Sequence, residues 1–243
     1  MNKIHRKIIS GGILIVCAAA AMGALSHLSR KAENRAVPAS APYSEEPPVI
    51  IIDAGHGGFD GGCVSAEGVP EKGINLSILL RLRDLLELNG YEVQVTRDSD
   101  ISIHGEGIEG MASQKSSDMD NRLALFNSRQ NAICLSIHQN EFTDPYYSGA
   151  QMFYSATNRR SEALARELQG RFGELLQPEN RREIKLCGKE LFLCYYSTNP
   201  TVMVECGFLS NPEEAALLNT EEYQEKVALT IFAGISDFVA EAQ

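Results

Sequence analysis

Two histidines and two glutamates in this chain of 243 residues stand where apolar runs give way to polar or glycine-rich sequence. The run 50–52 leads into Asp53-Ala54-Gly55-His56-Gly57-Gly58, the run 134–137 into His138-Gln139-Asn140, and the run 202–204 into Glu205-Cys206-Gly207. Glu71 follows a stretch holding Gly57, Gly58, Gly61, Gly62 and Gly68, which is able to fold back past the end of a strand. Two imidazoles and a carboxylate are a ligand set for zinc, with a fourth position open to water. His56, Glu71 and His138 supply that set. A metal so held lowers the pKa of its water to about 7, and Glu205 is placed to take the proton and deliver it to a leaving nitrogen. Singly, each residue has a plainer reading. A histidine at a strand end is more often a hydrogen-bonded structural group, Glu71 an acid favoured by a helix N-terminus, and Glu205 an ion-pair partner. Their joint placement at the ends of apolar runs favours the metal.

The elements that must position these residues follow from the hydrophobic pattern. Residues 49–52 form a continuous β-branched run, the mark of a strand covered on both faces. Over 71–89, Ile74, Ile78, Leu82, Leu85 and Leu86 recur at helical spacing and stop before Gly90, a C-capping residue. Residues 92–96 read as a strand, 99–117 as a polar, glycine-containing surface loop, and 118–129 as a helix with Leu123 and Phe126 near one face. Strands follow at 132–137 and 150–154, a helix at 161–176, and strands at 191–195 and 202–205. Asn211 opens two closing helices that run through Val239. Such alternation predicts an α/β fold, a mixed, largely parallel sheet sandwiched between helices. Sites in open sheets of this kind form at strand ends and in the loops that follow.

Ahead of this region, Lys3, Arg6 and Lys7 precede an uncharged run over 8–29, which spans roughly 33 Å as a helix. The basic flank keeps the N-terminus in the cytoplasm and sends the rest across the membrane. Small residues at Ala21, Gly23 and Ala24 permit signal cleavage, so residues 1–31 are expected to be a cleaved signal peptide or a membrane anchor. Pro38, Pro42, Pro47 and Pro48 make 32–47 an extended linker, and the folded domain is expected over 48–243, outside the cytoplasm. All 32 acidic residues, but only 17 of the 22 basic ones, lie beyond residue 31. That balance excludes nucleic acid and anionic membrane surfaces as partners of the folded part, leaving membrane contact to the N-terminal segment. With 44% hydrophobic residues the chain is not disordered. Of six cysteines (Cys17, Cys63, Cys134, Cys187, Cys194 and Cys206) five lie outside the apolar segment, without a C-x-x-C pair. Cys134, Cys194 and Cys206 sit in apolar, strand-like runs, so the cysteines are expected as small buried hydrophobes rather than disulfide partners.

Four segments carry a family resemblance: Asp53-Ala54-Gly55-His56-Gly57-Gly58-Phe59-Asp60-Gly61-Gly62, Glu71-Lys72-Gly73-Ile74-Asn75-Leu76, Ser136-Ile137-His138-Gln139-Asn140 and Val204-Glu205-Cys206-Gly207-Phe208-Leu209-Ser210-Asn211. In this order they resemble the zinc-dependent N-acetylmuramoyl-L-alanine amidases of the Amidase_3 type, over Val49 to about Val239. The resemblance implies a phosphorylase/hydrolase-like fold, zinc on His56, Glu71 and His138, and Glu205 as the catalytic glutamate. It implies hydrolysis of the amide between the lactyl group of N-acetylmuramic acid and L-alanine in peptidoglycan, and it leaves room for an accessory activator protein. Thr96-Arg97 and Asn121-Arg122 match family positions read as scaffold or ion-pair residues, and Asn140 matches one beside the metal. Two departures stand out. Glu141-Phe142 replaces a small residue after the third segment, and only eight residues separate Asn140 from Gly149, too few for the plugging helix that some cell-division amidases insert. A short, singly anchored domain of this kind is most similar to the CwlD-type amidases of spore-forming bacteria. That implies a role in the spore cortex, where loss of the stem peptide precedes formation of muramic δ-lactam. A zinc peptidase cutting the stem peptide itself, and a catalytically silent wall-binding protein, are the competing readings.

Overall fold

The computed structural model describes residues 47–241. The expected signal or anchor over 1–31, with Cys17, and the linker up to residue 46 lie outside the described residues. Among the described residues no helix is long and apolar enough to cross a membrane.

The elements run β1 (Val49–Ala54), α1 (Glu71–Leu88), β2 (Val93–Val95), α2 (Met111–Phe126), β3 (Ala132–Asn140), β4 (Gln151–Tyr154), α3 (Arg160–Arg171), β5 (Lys185–Leu186), α4 (Phe192–Tyr196), β6 (Thr201–Phe208), α5 (Pro212–Leu218) and α6 (Glu221–Glu241). Helix α3 runs on into a wider turn over Phe172–Leu176. The strands form one sheet in the order β2-β1-β3-β6-β4-β5. β2, β1, β3 and β6 are parallel, β4 is antiparallel to β6, and β5 is parallel to β4. The expected mixed, largely parallel sheet between helices is the observed fold.

Alternation along the strands gives the sheet two unlike faces. On one, Ile50, Ile52, Ala54, Leu135, Ile137, Val202 and Val204 join the apolar sides of α1, α3 and α6 in the main core. On the other, Ile51, Ala132 and Cys134 pack against Phe126 of α2 and Leu193 of α4. Towards the C-terminal strand ends this second face turns polar. Asp53 lies in register with Ser136, Ser136 with Met203, and His138 with Glu205. The site sits on that polar end.

Three expectations need correction. The run 191–195 is not a strand, because its centre forms the single-turn helix α4 with Leu193 and Cys194 buried. A five-residue apolar run is equally compatible with either state, and the sheet position beside β3 is taken by β6. The loop expected over 99–117 is helical from Met111, since α2 starts after Gly110 and buries Asp118 and Arg122 besides Phe126. Its first turns, over 111–117, bury no side chain, so no apolar period announces that part, and the helix stops at Phe126 rather than 129. Strand β3 also outruns its apolar core, which places His138 within the strand instead of just beyond it, and β6 runs on past Glu205 to Phe208. Of the five cysteines among the described residues, four are buried and Cys63 is half-buried; Cys134, Cys194 and Cys206 are the small buried hydrophobes expected.

Candidate metal centre

Strand β1 ends at Ala54, and the chain then turns sharply through His56, whose φ of 65° lies in the left-handed region. For a residue with a β-carbon this conformation is strained and persists only when its surroundings hold it. Three contacts do so. The Arg122 guanidinium donates to the His56 carbonyl at 2.7 Å, and Gly57 and Asp60 exchange backbone hydrogen bonds of 2.9 and 3.2 Å that close a tight turn. Behind the turn lies a buried polar network. Arg122 reaches Asp53 at 2.6 Å and Asp118 at 2.7 Å. Asp53 also accepts from Thr96 and Ser136, while Arg97 donates to the carbonyls of Ala54, Gly55 and Lys72. Burial opposes ionisation of Asp53, but the Arg122 charge beside it holds its carboxyl below the usual range. Thr96, Arg97 and Arg122 are thus scaffold residues, as expected, and Asn121 ties α2 to the Ile103 carbonyl.

Glu71, the first residue of α1, is 2% exposed. Its Oε2 lies 3.2 Å from His56 Nε2, and its Oε1 lies 2.9 Å from His138 Nδ1. It is therefore not merely a helix N-terminal acid in solvent. The backbone N–H groups of Cys63 and Gln139 and the side-chain amide of Asn75 also donate to it, at 3.0–3.1 Å. Burial alone would raise the Glu71 pKa, yet these two histidines hold it far below the usual carboxylate value. Burial likewise opposes a charge on His138, but the bond and charge of Glu71, followed by the charges of Glu205 and Asp53, lift its pKa to about 9.

Each of His56, Glu71 and His138 offers a donor atom, and these atoms lie within 4.8 Å of one another. Metal–ligand distances of about 2.0–2.1 Å in a tetrahedral site imply ligand atoms about 3.3–3.4 Å apart, and the two oxygens of Glu71 stand at 3.2 and 2.9 Å, one from each histidine. A buried carboxylate between two imidazoles, with neither lysine nor arginine bonded to it, has the composition of a metal site. Gly55 completes the cradle. A β-carbon there would stand 2.2 Å from Cε1 and Nε2 of His138, so only glycine leaves space for this ring.

Glu205 shares with His56 and His138 a cleft of about 230 Å³. Its Oε2 is shielded from solvent and lacks a hydrogen-bond partner. Burial pushes its carboxyl up to about 7, although the charges of His138 and His56 pull the other way. Of the four residues singled out from the sequence, His56, His138 and Glu205 line one cleft and Glu71 bridges the two histidines. Gly207 does not face it, because the Glu214 carboxylate takes the space that a side chain at Gly207 would need. Asn140 closes β3, its carbonyl accepting from Leu209. Sequence reasoning missed Asn75, Gln139 and Asp60. The Glu71-to-Asn75 spacing of four on a helix was a usable signal, since such residues are neighbours on one face. The other two depend on how the chain folds back.

A family profile described as N-acetylmuramoyl-L-alanine amidase matches residues 50–237. The germination-specific N-acetylmuramoyl-L-alanine amidase of Bacillus subtilis (strain 168) is 36% identical over 204 residues, 84% of each chain. Among solved structures, the CwlD amidase from Clostridioides difficile, in complex with the GerS lipoprotein, superposes with a TM-score of 0.77 at 36% identity, over 80% of this chain and 99% of that one. The amidase AmiC2 of Nostoc punctiforme gives 0.67 at 26% identity, over 79% and 97%. With the profile spanning the whole sheet and every residue of the cleft, the chain belongs to the N-acetylmuramoyl-L-alanine amidase family.

Proposed function

We propose that this amidase hydrolyses the bond between the lactyl group of N-acetylmuramic acid and L-alanine in peptidoglycan, with zinc held by His56, Glu71 and His138 and with Glu205 as the proton carrier. The observation that carries the reading is the convergence of three donor atoms within 4.8 Å at a cleft where Glu205 stands in register with His138. The chemistry a zinc ion supplies there is polarisation of a carbonyl and acidification of a water. The protein residues do the rest. Glu71 holds both imidazoles in place, and Glu205, with a carboxyl near 7, accepts a proton from the attacking water and passes it to the amide nitrogen as the C–N bond breaks. Water thus adds its oxygen to the carbonyl carbon and its proton to the nitrogen.

The biological setting follows from the relatives. A germination-specific amidase and a CwlD amidase are similar to this chain over four fifths of its length, which supports a role in spore-cortex maturation ahead of muramic δ-lactam formation. The domain over 48–243 would act outside the cytoplasm, carried there by the signal or anchor over 1–31 and spaced by the linker over 32–47. The C. difficile relative was solved with a lipoprotein, which supports an accessory protein as a further partner. Digestion of purified sacculi, with new termini identified by mass spectrometry, tests the reading. A free L-alanine amino group is expected. An internal peptide cut would make the chain a stem-peptide peptidase, and binding without any cut would make it a silent wall-binding protein.

A further inference from the structure

His56 reaches the metal site through Nε2, which leaves Nδ1 on the far side of the ring. Nδ1 is shielded from solvent and has no aligned hydrogen-bond partner. The polar atom beside it is Oδ2 of Asp60, at 3.0 Å. The tight turn closed by Gly57 and Asp60 brings that carboxylate back under the ring, and the Gly62 N–H anchors its other oxygen at 3.2 Å. On its outer side, Oδ2 meets Lys115 Nζ at 3.1 Å, a lysine 59% exposed at the cleft rim. Lys115 belongs to the part of α2 that reads as loop in the sequence.

A neutral imidazole offers one lone pair, and which nitrogen carries it depends on the partner of the other. We propose that Asp60 is the positioning residue of the metal centre: it keeps the proton of His56 on Nδ1 and so leaves Nε2 free to bind the metal. A small rotation of the ring aligns Nδ1–H with Oδ2, and the carboxylate makes the imidazole a better donor, as partners behind metal-binding histidines do. Lys115 is secondary in this scheme, because an exposed amine is well solvated and contributes little. The inference rests on the zinc reading above.

The test uses the full chain and zinc alone, with affinity measured by competition against a chromophoric chelator. Asp60→Ala should lower affinity by about 10–100-fold, the usual cost of losing such a partner. Asp60→Asn preserves shape and can still accept a bond, so it should lose less. Lys115→Met should stay within about threefold. The melting temperature of the metal-free protein should hardly move in any of the three, because the strained turn is closed by backbone bonds. Nitrogen NMR of the zinc-loaded wild type should show His56 protonated on Nδ1, and this signature should weaken in Asp60→Ala. Unchanged affinity in both Asp60 variants would overturn the proposal. So would a loss in Lys115→Met as large as in Asp60→Ala, because the effect would then lie in tying the loop to α2. A wild-type chain that takes up no zinc would refute the metal reading itself.

Discussion

Gly55→Ala adds one methyl group to the metal cradle and touches little else. Gly55 is not in the left-handed region, so alanine suits the backbone, and its N–H can still donate to the Ile137 carbonyl at 3.0 Å. The new carbon would stand 2.2 Å from His138 Cε1 and Nε2 and 2.7 Å from Cδ2, where ordinary contact begins at 3.4 Å. The ring must therefore retreat by about 1 Å, which draws Nδ1 away from Glu71 Oε1. Overpacking of this size costs about 1–3 kcal/mol, or roughly 2–12 °C in melting temperature for a domain of this length. A 1 Å misplacement of a reacting group costs about 10²-fold in turnover, and zinc affinity should fall at least tenfold. Thermal unfolding without metal, chelator competition and sacculus digestion on one preparation separate these effects. Zinc affinity and turnover both within threefold of wild type would refute the argument that Gly55 exists to admit the His138 ring.

Glu205→Gln should keep zinc and lose about 10²–10⁴-fold in turnover. Its melting temperature should not drop, since a buried carboxylate whose pKa is pushed up to about 7 is replaced by a neutral amide; near-normal hydrolysis would remove Glu205 from catalysis. In the metal-free protein a proton occupies His138 up to about pH 9, so zinc must displace it. Affinity should climb with pH by about tenfold per unit and level off above about 9, and chelator titrations that are flat across neutral pH would contradict this. Arg122→Met strands the buried Asp53 carboxylate and should cost about 3–5 kcal/mol in denaturant unfolding, with Asp53→Asn added to it recovering part of the loss. The connection from β3 to β4 contains no helix, so the zinc-loaded chain should cut sacculi without proteolytic trimming. Activity appearing only after a segment is removed would disprove an open cleft.

His56, His138 and Glu205 were legible in the sequence because they close or follow apolar runs that could only be strands, and Glu71 because it opens a helix of apolar spacing after a glycine-rich stretch. Strand β1 and helix α1 were legible for the same reason, the first through its unbroken β-branched residues and the second through its spacing of leucine and isoleucine. What escaped detection had no apolar signature. The first turns of helix α2, over 111–117, bury no apolar side chain, whereas its second half was legible through Leu123 and Phe126. Helix α4 is a single turn, too short for any period to show. Asp60 reads as one polar residue in a glycine-rich loop, because its meaning lies in a fold-back that brings it under His56.

The buried charges behind the site pose an energetic question. A buried ion pair such as Arg122 with Asp53 is a weak source of stability, since the cost of removing both charges from water can match their attraction. The bonds these groups make beyond each other suggest what they accomplish. Arg122 donates to the carbonyls of Ala54 and His56, and Arg97 to those of Ala54 and Gly55. Two guanidinium groups thus grip three consecutive carbonyls at the point where the chain leaves the sheet and enters a left-handed turn. Apolar residues of similar volume would fill the space, but the carbonyls would be left buried and unpaired at about 1–3 kcal/mol each, and the turn would relax. His56 would then swing away from Glu71. The network therefore spends its electrostatics on one backbone conformation, and that conformation delivers His56 Nε2 to the place where Glu71 and His138 already meet.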